Sequence, residues 1–301
     1  MSRKVLLAGG SGLIGKNIYQ LLTRFGYEPI ILSRNEKLSE RNDFIYWDPS
    51  KSYIKIDGQL NVRAIINLCG AGIAEKKWTD DRKKELVDSR IIPAHFIAEL
   101  IKTEKIKTDV YLGSSAIGIY GDRPGTNACK ESDQINGDTF LSKICIEWEK
   151  AQDNIPDTVR KVLVRTGIVL AEEGGALDQY RPLLNLRMAP YFGGGKPYMS
   201  WITIDDLSNM FLHGIESNIS GTYNAVGDLP VNSKEFAKAF IRSQSKWAVS
   251  RSVPNFAVKL MLGEMSAVVL ESQFVSNEKI KATGFDFKAK TIDEAFEQIK
   301  K

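Results

Sequence analysis

The chain has 301 residues, 43% of them hydrophobic and 26% charged, with a formal net charge of +4. That is the balance of a soluble globular protein of one large or two modest domains, long enough to bury a sizeable core. The mild charge, without a basic cluster, argues against a nucleic-acid partner. The most apolar later stretch, PNFAVKLMLGEMSAVVLES, is interrupted by Lys259 and Glu264 and should not span a bilayer.

KVLLA, near the start, reads as a short buried strand, and GGSGLIG follows it. Leu13, Ile14, Ile18, Leu21, Leu22 and Phe25 then recur at helical spacing until Gly26. A glycine-rich turn between a strand and a helix near the amino terminus is the pattern of a dinucleotide site. Gly9 allows the sharp turn, Gly12 lets a pyrophosphate approach the backbone, and Gly15 lets helix and strand pack closely. The helix amino terminus adds free N–H groups and a favourable dipole.

PIILS is the second strand, ending at Ser33-Arg34-Asn35. An arginine at this tip suits a 2′-phosphate, whereas an acidic residue would suit ribose hydroxyls. Arg34 therefore predicts NADP(H) over NAD. AIINLCG, DVYLGSS and KVLVRTGIVL are further buried strands, separated by helices around 79–103 and 138–154, the first broken or kinked at Pro93. This alternation predicts an α/β fold, a Rossmann-type doubly wound parallel sheet.

After about residue 170 the pattern changes. EEGG and YFGGGKP are loop-rich with a helix between them. Helices are expected near 204–216, 232–244 and 254–272, with a short strand, TYNAVG, after the first. The predicted organisation is a cofactor domain over 1–170, with 201–226 returning to it, and a smaller α/β substrate lobe over 171–301. The apolar helix 254–272 packs either on the core or on a second copy of the chain, as in a homodimer. Cys69, Cys129 and Cys145 show no metal spacing and cannot all pair, which reads as reduced thiols in a cytoplasmic compartment, with no metal site. His95 and His213 stand in no catalytic constellation and are expected to be structural.

GGSGLIG, NLCGAGI, SSAIGIYG and WITIDDL together resemble the extended short-chain dehydrogenase/reductase family of nucleotide-sugar epimerases and reductases. KKWTDDRKKELVDSRI, RTGIVL, EEGGAL and the tail through PNFAVKLMLGEMS and GFDF resemble its "epimerase family" subgroup, which has its own carboxyl-terminal region. The resemblance implies an NADP(H) site with Gly9, Ser11, Gly12, Leu13, Ile14 and Gly15 at the pyrophosphate and Arg34 at the 2′-phosphate. It places Leu68, Cys69 and Gly70 beside the riboses, and Ser115 where a serine polarises a substrate carbonyl or hydroxyl. SSAIGIYG is one residue longer than the common pattern, so either Ser114 or Ser115 is aimed inward.

The family's mechanism uses a tyrosine on the helix at 138–150 with a lysine four residues later, neighbours on one helical face. Here those positions hold Phe140 and Ile144. Lys143 is turned about 100° away and reads as solvated. Phe140, Ile144, Trp148 and Ala151 form an apolar packing stripe instead. Replacement donors are sought in Tyr120, Asp122 and Glu131; Tyr120 serves either as donor or as a lining aromatic, and Cys145 reads as an inert buried thiol. Asp205 and Asp206 cap or open the next helix, Trp201 and Tyr198 line a pocket, and Ser200 stands where many relatives have an arginine. Arg181, Arg187 and Lys196 are either anion-binding groups or solvated charges. The expected function is an NADP(H)-dependent oxidoreductase or epimerase acting on a small polar, possibly nucleotide-sugar, substrate. The alternative is an NADPH-binding sensor or interaction protein that has lost the reaction.

Overall fold

Every residue of KVLLA after Lys4 is fully buried, because this strand has sheet neighbours on both edges and helices on both faces. A computed structural model describes residues 2–244 and 247–300. The strands are β1 (Lys4–Ala8), β2 (Glu28–Ser33), β3 (Phe44–Asp48), β4 (Tyr53–Ile54), β5 (Leu60–Asn67), β6 (Ile106–Ala116), β7 (Arg160–Thr166), β8 (Ile168–Leu170), β9 (Met188–Tyr191), β10 (Tyr198–Met199), β11 (Trp201–Thr203), β12 (Gly221–Ala225), β13 (Val231–Asn232) and β14 (Val249–Ser252). The helices are α1 (Leu13–Arg24), α2 (Asp80–Lys102), α3 (Phe140–Gln152), α4 (Arg181–Asn185), α5 (Ile204–Glu216), α6 (Ser233–Ser243), α7 (Asn255–Leu262), α8 (Ala267–Leu270), α9 (Glu278–Lys281) and α10 (Ile292–Gln298).

Eight strands form the main sheet in the order β12-β7-β6-β5-β1-β2-β3-β4, parallel throughout except for the short β4 edge. The chain runs outward from β1 through β2 and β3, then returns to lay β5 on the other side of β1. The carboxyl ends of β1 and β5 therefore form the switch point at which such sheets bind ligands. Alternate residues feed two cores. Val5, Leu7, Ile31 and Ile66 pack under α1 and α5 with Met210, Phe211 and Phe287, while Leu6, Ile30, Ile65 and Tyr111 pack under α2 with Phe96, Ile97 and Leu100.

Two element predictions are corrected, and of the break or kink expected at Pro93 the break does not occur. α2 is assigned as one helix through Pro93. The proline costs about 3 kcal/mol, but Leu86, Phe96, Ile97 and Leu100 are buried on the same helix at about 1.5–3 kcal/mol each. KVLVRTGIVL is two strands, because at Gly167 the chain leaves β7; a Cβ there would lie 2.5 Å from Ser200 O. The expected helix 254–272 breaks at Gly263, in the left-handed region at φ +58°, and α7 buries only Val258 while exposing Phe256, Leu260 and Met261. Beyond residue 170, β11 pairs with β8, β12 extends the main sheet beside β7, and a further core gathers Tyr180, Phe236, Phe240 and Phe296. Among the described residues no helix is long and apolar enough to cross a membrane.

Candidate active site

The loop after β1 lies at the switch point. Gly9 has φ +81°, and a Cβ there would sit 2.9 Å from the Leu68 backbone at the end of β5. Gly15 lies in the first turn of α1, where a Cβ would come within 2.5 Å of Gly9 O and Gly10 Cα. Gly12 is different: its nearest atom to a built Cβ is Gly9 O at 3.4 Å, an ordinary contact, and the residue is exposed. Internal packing thus explains glycine at 9 and 15 but not at 12, where the missing side chain faces outward. Gly12 caps α1 with no side-chain hydrogen bond, and the first turn has no acidic residue, so its N–H groups are open to an anion. Ser11 is exposed beside them, Leu13 is half-buried beneath Gly174 and Gly175, and Ile14 packs on the core.

Arg34 follows β2, exposed and without an ion pair among the described residues. Its charge reaches Cys69 and Glu85. Burial pushes the Cys69 thiol up to about 12, with Arg34 opposing. Leu68, Cys69 and Gly70 leave β5 beside the phosphate loop, held by Asn67, whose Oδ1 accepts from Cys69 N at 3.1 Å and whose Nδ2 donates to Tyr111 Oη at 2.9 Å. Gly70 abuts the Arg90 guanidinium, which donates to Leu86 O and Ala71 O and stacks 5.0 Å over Trp148.

α3 starts at the carboxyl edge of the sheet, capped by Thr139, whose Oγ1 accepts from Ser142 N at 3.2 Å. Phe140 meets Trp78 edge-on at 4.9 Å, with Lys83 Nζ 5.5 Å from its ring and the Lys83–Glu264 ion pair alongside. Ile144 is buried in the cluster with Leu86, Ile117 and Ile119, and Lys143 is exposed. Burial pushes the Cys145 thiol up to about 12, Arg90 opposing.

Ser115 and Tyr120 are assigned to a buried polar network and not to an open cleft. Ser115 Oγ donates to Glu149 Oε1 at 2.6 Å; Arg165 grips both Glu149 oxygens at 2.9 Å and donates from Nη1 to Tyr120 Oη at 3.0 Å. Tyr120 Oη donates to Asn224 Oδ1 at 2.7 Å. Burial pushes the Tyr120 phenol up to about 12, Arg165 opposing. In this structure the Tyr120 hydroxyl and the Ser115 hydroxyl are therefore both engaged with partners inside the fold, Asn224 Oδ1 and Glu149 Oε1. The other nearby carboxylates also hold backbone: Glu131 accepts from Asn224 N and Asp122 from Ser272 N, both at 2.8 Å. An arginine inside the apolar run KVLVRTG signalled a buried partner; nothing local named Glu149 as that partner.

The remaining sequence candidates fall outside this cluster. Trp201 is core, donating Nε1–H to Leu229 O, and Tyr198 packs edge-on against Phe274. Thr203, not an aspartate, caps α5; Asp205 and Asp206 stand in its first turn as expected, and Asp206 also accepts from the Lys288 and Ala289 amides. Ser200 is buried and clamps Gln273 O and Val275 N. Arg181 pairs with Asp178, Arg187 sits at φ +57° beneath Val249, and Lys196 is exposed. His95 lies against Asn154 and His213 against Thr283. No group of three metal-ligating side chains occurs among the described residues.

Residues 5–225 match the model of the NAD dependent epimerase/dehydratase family. The chain belongs to this family. Residues 253–299 match a domain of unknown function (DUF1731). An "Epimerase family protein" of Mycobacterium leprae is 32% identical over 98% of this chain and 95% of that protein. Among solved structures, the human epimerase family protein SDR39U1 (isoform 2) with NADPH superposes with a TM-score of 0.88 at 28% identity, covering 98% of both chains. A nucleoside-diphosphate sugar epimerase from Corynebacterium glutamicum gives a TM-score of 0.76 at 27% identity, over 98% of this chain and 57% of that one. The family is one of NAD(P)-dependent enzymes, and positions 140 and 144 of this member hold Phe and Ile.

Proposed function

We propose that the chain is an NADP(H)-dependent oxidoreductase or epimerase acting on a small polar carbonyl or hydroxyl compound. The observation that carries this reading is the α1 amino terminus, with no side-chain cap and an outward-facing Gly12, set at the switch point with Arg34, which has no ion pair among the described residues. The human relative solved with NADPH supports the choice of cofactor. Gly12, Ser11 and the first amides of α1 would hold the pyrophosphate, and Leu68 to Gly70 would line the riboses. Arg34 would pair with the 2′-phosphate, a charge-assisted bond. The bound nucleotide supplies or accepts a hydride; the chain positions the substrate and exchanges the proton.

Calorimetry with NADPH and NADH tests the reading. NADPH is expected to bind more tightly, and Arg34→Ala to remove roughly 10- to 100-fold of the difference, the worth of one charged hydrogen bond. Equal affinities in the unmodified protein would refute the 2′-phosphate assignment. A second reading, cofactor binding without turnover, is favoured by the packing of Phe140 on Trp78 and the burial of Ile144. NADPH binding with no NADPH consumption across a panel of aldehydes, ketones and keto sugars would select it.

A further inference from the structure

The position of the absent tyrosine is not bare of ionisable groups. Glu271 follows α8, and its carboxyl lies close enough to interact with Thr139, the residue that caps α3 and precedes Phe140. Its Oε2 also lies 3.3 Å from Gln273 Nε2, which donates to Gly121 O at 3.0 Å. Asp122 Oδ1 accepts from Ser272 N at 2.8 Å, and Ser272 Oγ accepts from Tyr198 N at 2.9 Å. Residues 271–273 are thereby pinned between the loop after β6 and Tyr198, beside the cap of α3. The carboxyl itself stays partly exposed at the carboxyl edge of the sheet. Against the Phe140 ring itself lies Lys83, which is paired with Glu264.

We propose that Glu271 is the proton-exchanging residue of this chain, standing in for the tyrosine absent from position 140. The proposal rests on the cofactor reading above. In the reductive direction Glu271 gives its carboxyl proton to the carbonyl oxygen as the carbonyl carbon accepts a hydride from NADPH. The C=O π bond breaks, C–H and O–H bonds form, and the products are the alcohol, NADP+ and the Glu271 carboxylate, which regains its proton from water. The oxidative direction reverses each step.

The surroundings suit that role. Burial pushes the Glu271 carboxyl up to about 7, and the charge of Asp122 pushes the same way, while Thr139 and Gln273 oppose. Asp122 is the charged group facing it from the loop after β6; α3 and its own segment present the neutral Thr139 and Gln273. An acid poised near the working pH both gives and takes a proton efficiently. The residue comes from the carboxyl-terminal region (253–299), outside the epimerase match, so the catalytic helix and its proton source would belong to separate parts of the chain.

The test needs no known substrate. NADP+ carries a positive nicotinamide that NADPH lacks, so an ionised Glu271 beside it favours NADP+, and the 2′-phosphate cancels in the ratio. Calorimetric affinities for both nucleotides are measured at pH 6 and pH 8. The NADP+/NADPH affinity ratio of the wild type is expected to rise about tenfold between them, and that of Glu271→Gln to stay flat. A flat wild-type ratio, or the same rise in the variant, overturns the assignment of Glu271 while leaving the cofactor reading intact. Failure of the wild type to bind NADPH at either pH overturns the reading beneath it.

Discussion

Replacing Tyr120 by Phe separates a structural tyrosine from a displaced catalyst. The substitution deletes one oxygen, which accepts from Arg165 Nη1 at 3.0 Å and donates to Asn224 Oδ1 at 2.7 Å, all three groups being buried. Each lost bond is worth about 1 kcal/mol net, and stranding a charged donor adds more, so the expected loss is about 2–4 kcal/mol. With a urea m-value of about 3 kcal/mol/M, the unfolding midpoint should fall by roughly 1 M. The intrinsic fluorescence of the five tryptophans reports the transition. NADPH affinity should be unchanged, because the phenol points into the Arg165–Glu149 network. An unmoved midpoint together with abolished NADPH turnover would refute this reasoning and return the proton to Tyr120.

Two glycines of the phosphate loop should respond differently to alanine. Gly15→Ala places a Cβ 2.5 Å from Gly9 O and Gly10 Cα, so stability should fall by about 1–3 kcal/mol along with NADPH binding. Gly12→Ala meets nothing closer than 3.4 Å and should weaken NADPH binding while leaving the melting temperature in place; a matching loss of stability would contradict the outward reading of Gly12. The thiols of Cys69 and Cys145 are pushed up to about 12 by burial, and that of Cys129 is raised for the same cause. Raised thiols hold less thiolate than a free cysteine at pH 8, so in the folded protein a disulfide reagent should react with each more slowly than with a free cysteine, least with the buried Cys129 and Cys145, and should titrate all three in denaturant. One thiol reacting at the free-cysteine rate would contradict this.

Much of the cofactor half was legible because its signals are local. A buried strand, four glycines and an amphipathic helix lie within Lys4–Arg24, and each reads from its neighbours in the chain. Phe140 and Ile144 could be read as a packing stripe for the same reason: their helical spacing is a property of five consecutive residues. The fate of Ser115 and Tyr120 was not legible, since their partners lie far off: Glu149 is 34 residues from Ser115, and Arg165 and Asn224 are 45 and 104 residues from Tyr120. The breaks at Gly167 and Gly263 were missed because apolar runs read alike on either side, and Gly167 is required by Ser200 O, a contact from a distant segment.

Sequence alone determined the alternation of strands and helices, the glycine-rich loop after the first strand, the arginine at the tip of the second and the apolar residues at positions 140 and 144. These follow from residue type and spacing, which backbone geometry converts directly into local structure. Tertiary structure alone decided which polar groups are already bonded to one another and which are left to act. Ser115, Tyr120, Asp122 and Glu131 are each tied to partners from other elements, and Glu271, itself bonded to Gln273, meets the cap of α3 from more than a hundred residues further along the chain. A side chain's chemistry depends on its burial and its hydrogen bonds, and both are set by segments that meet only when the chain has folded.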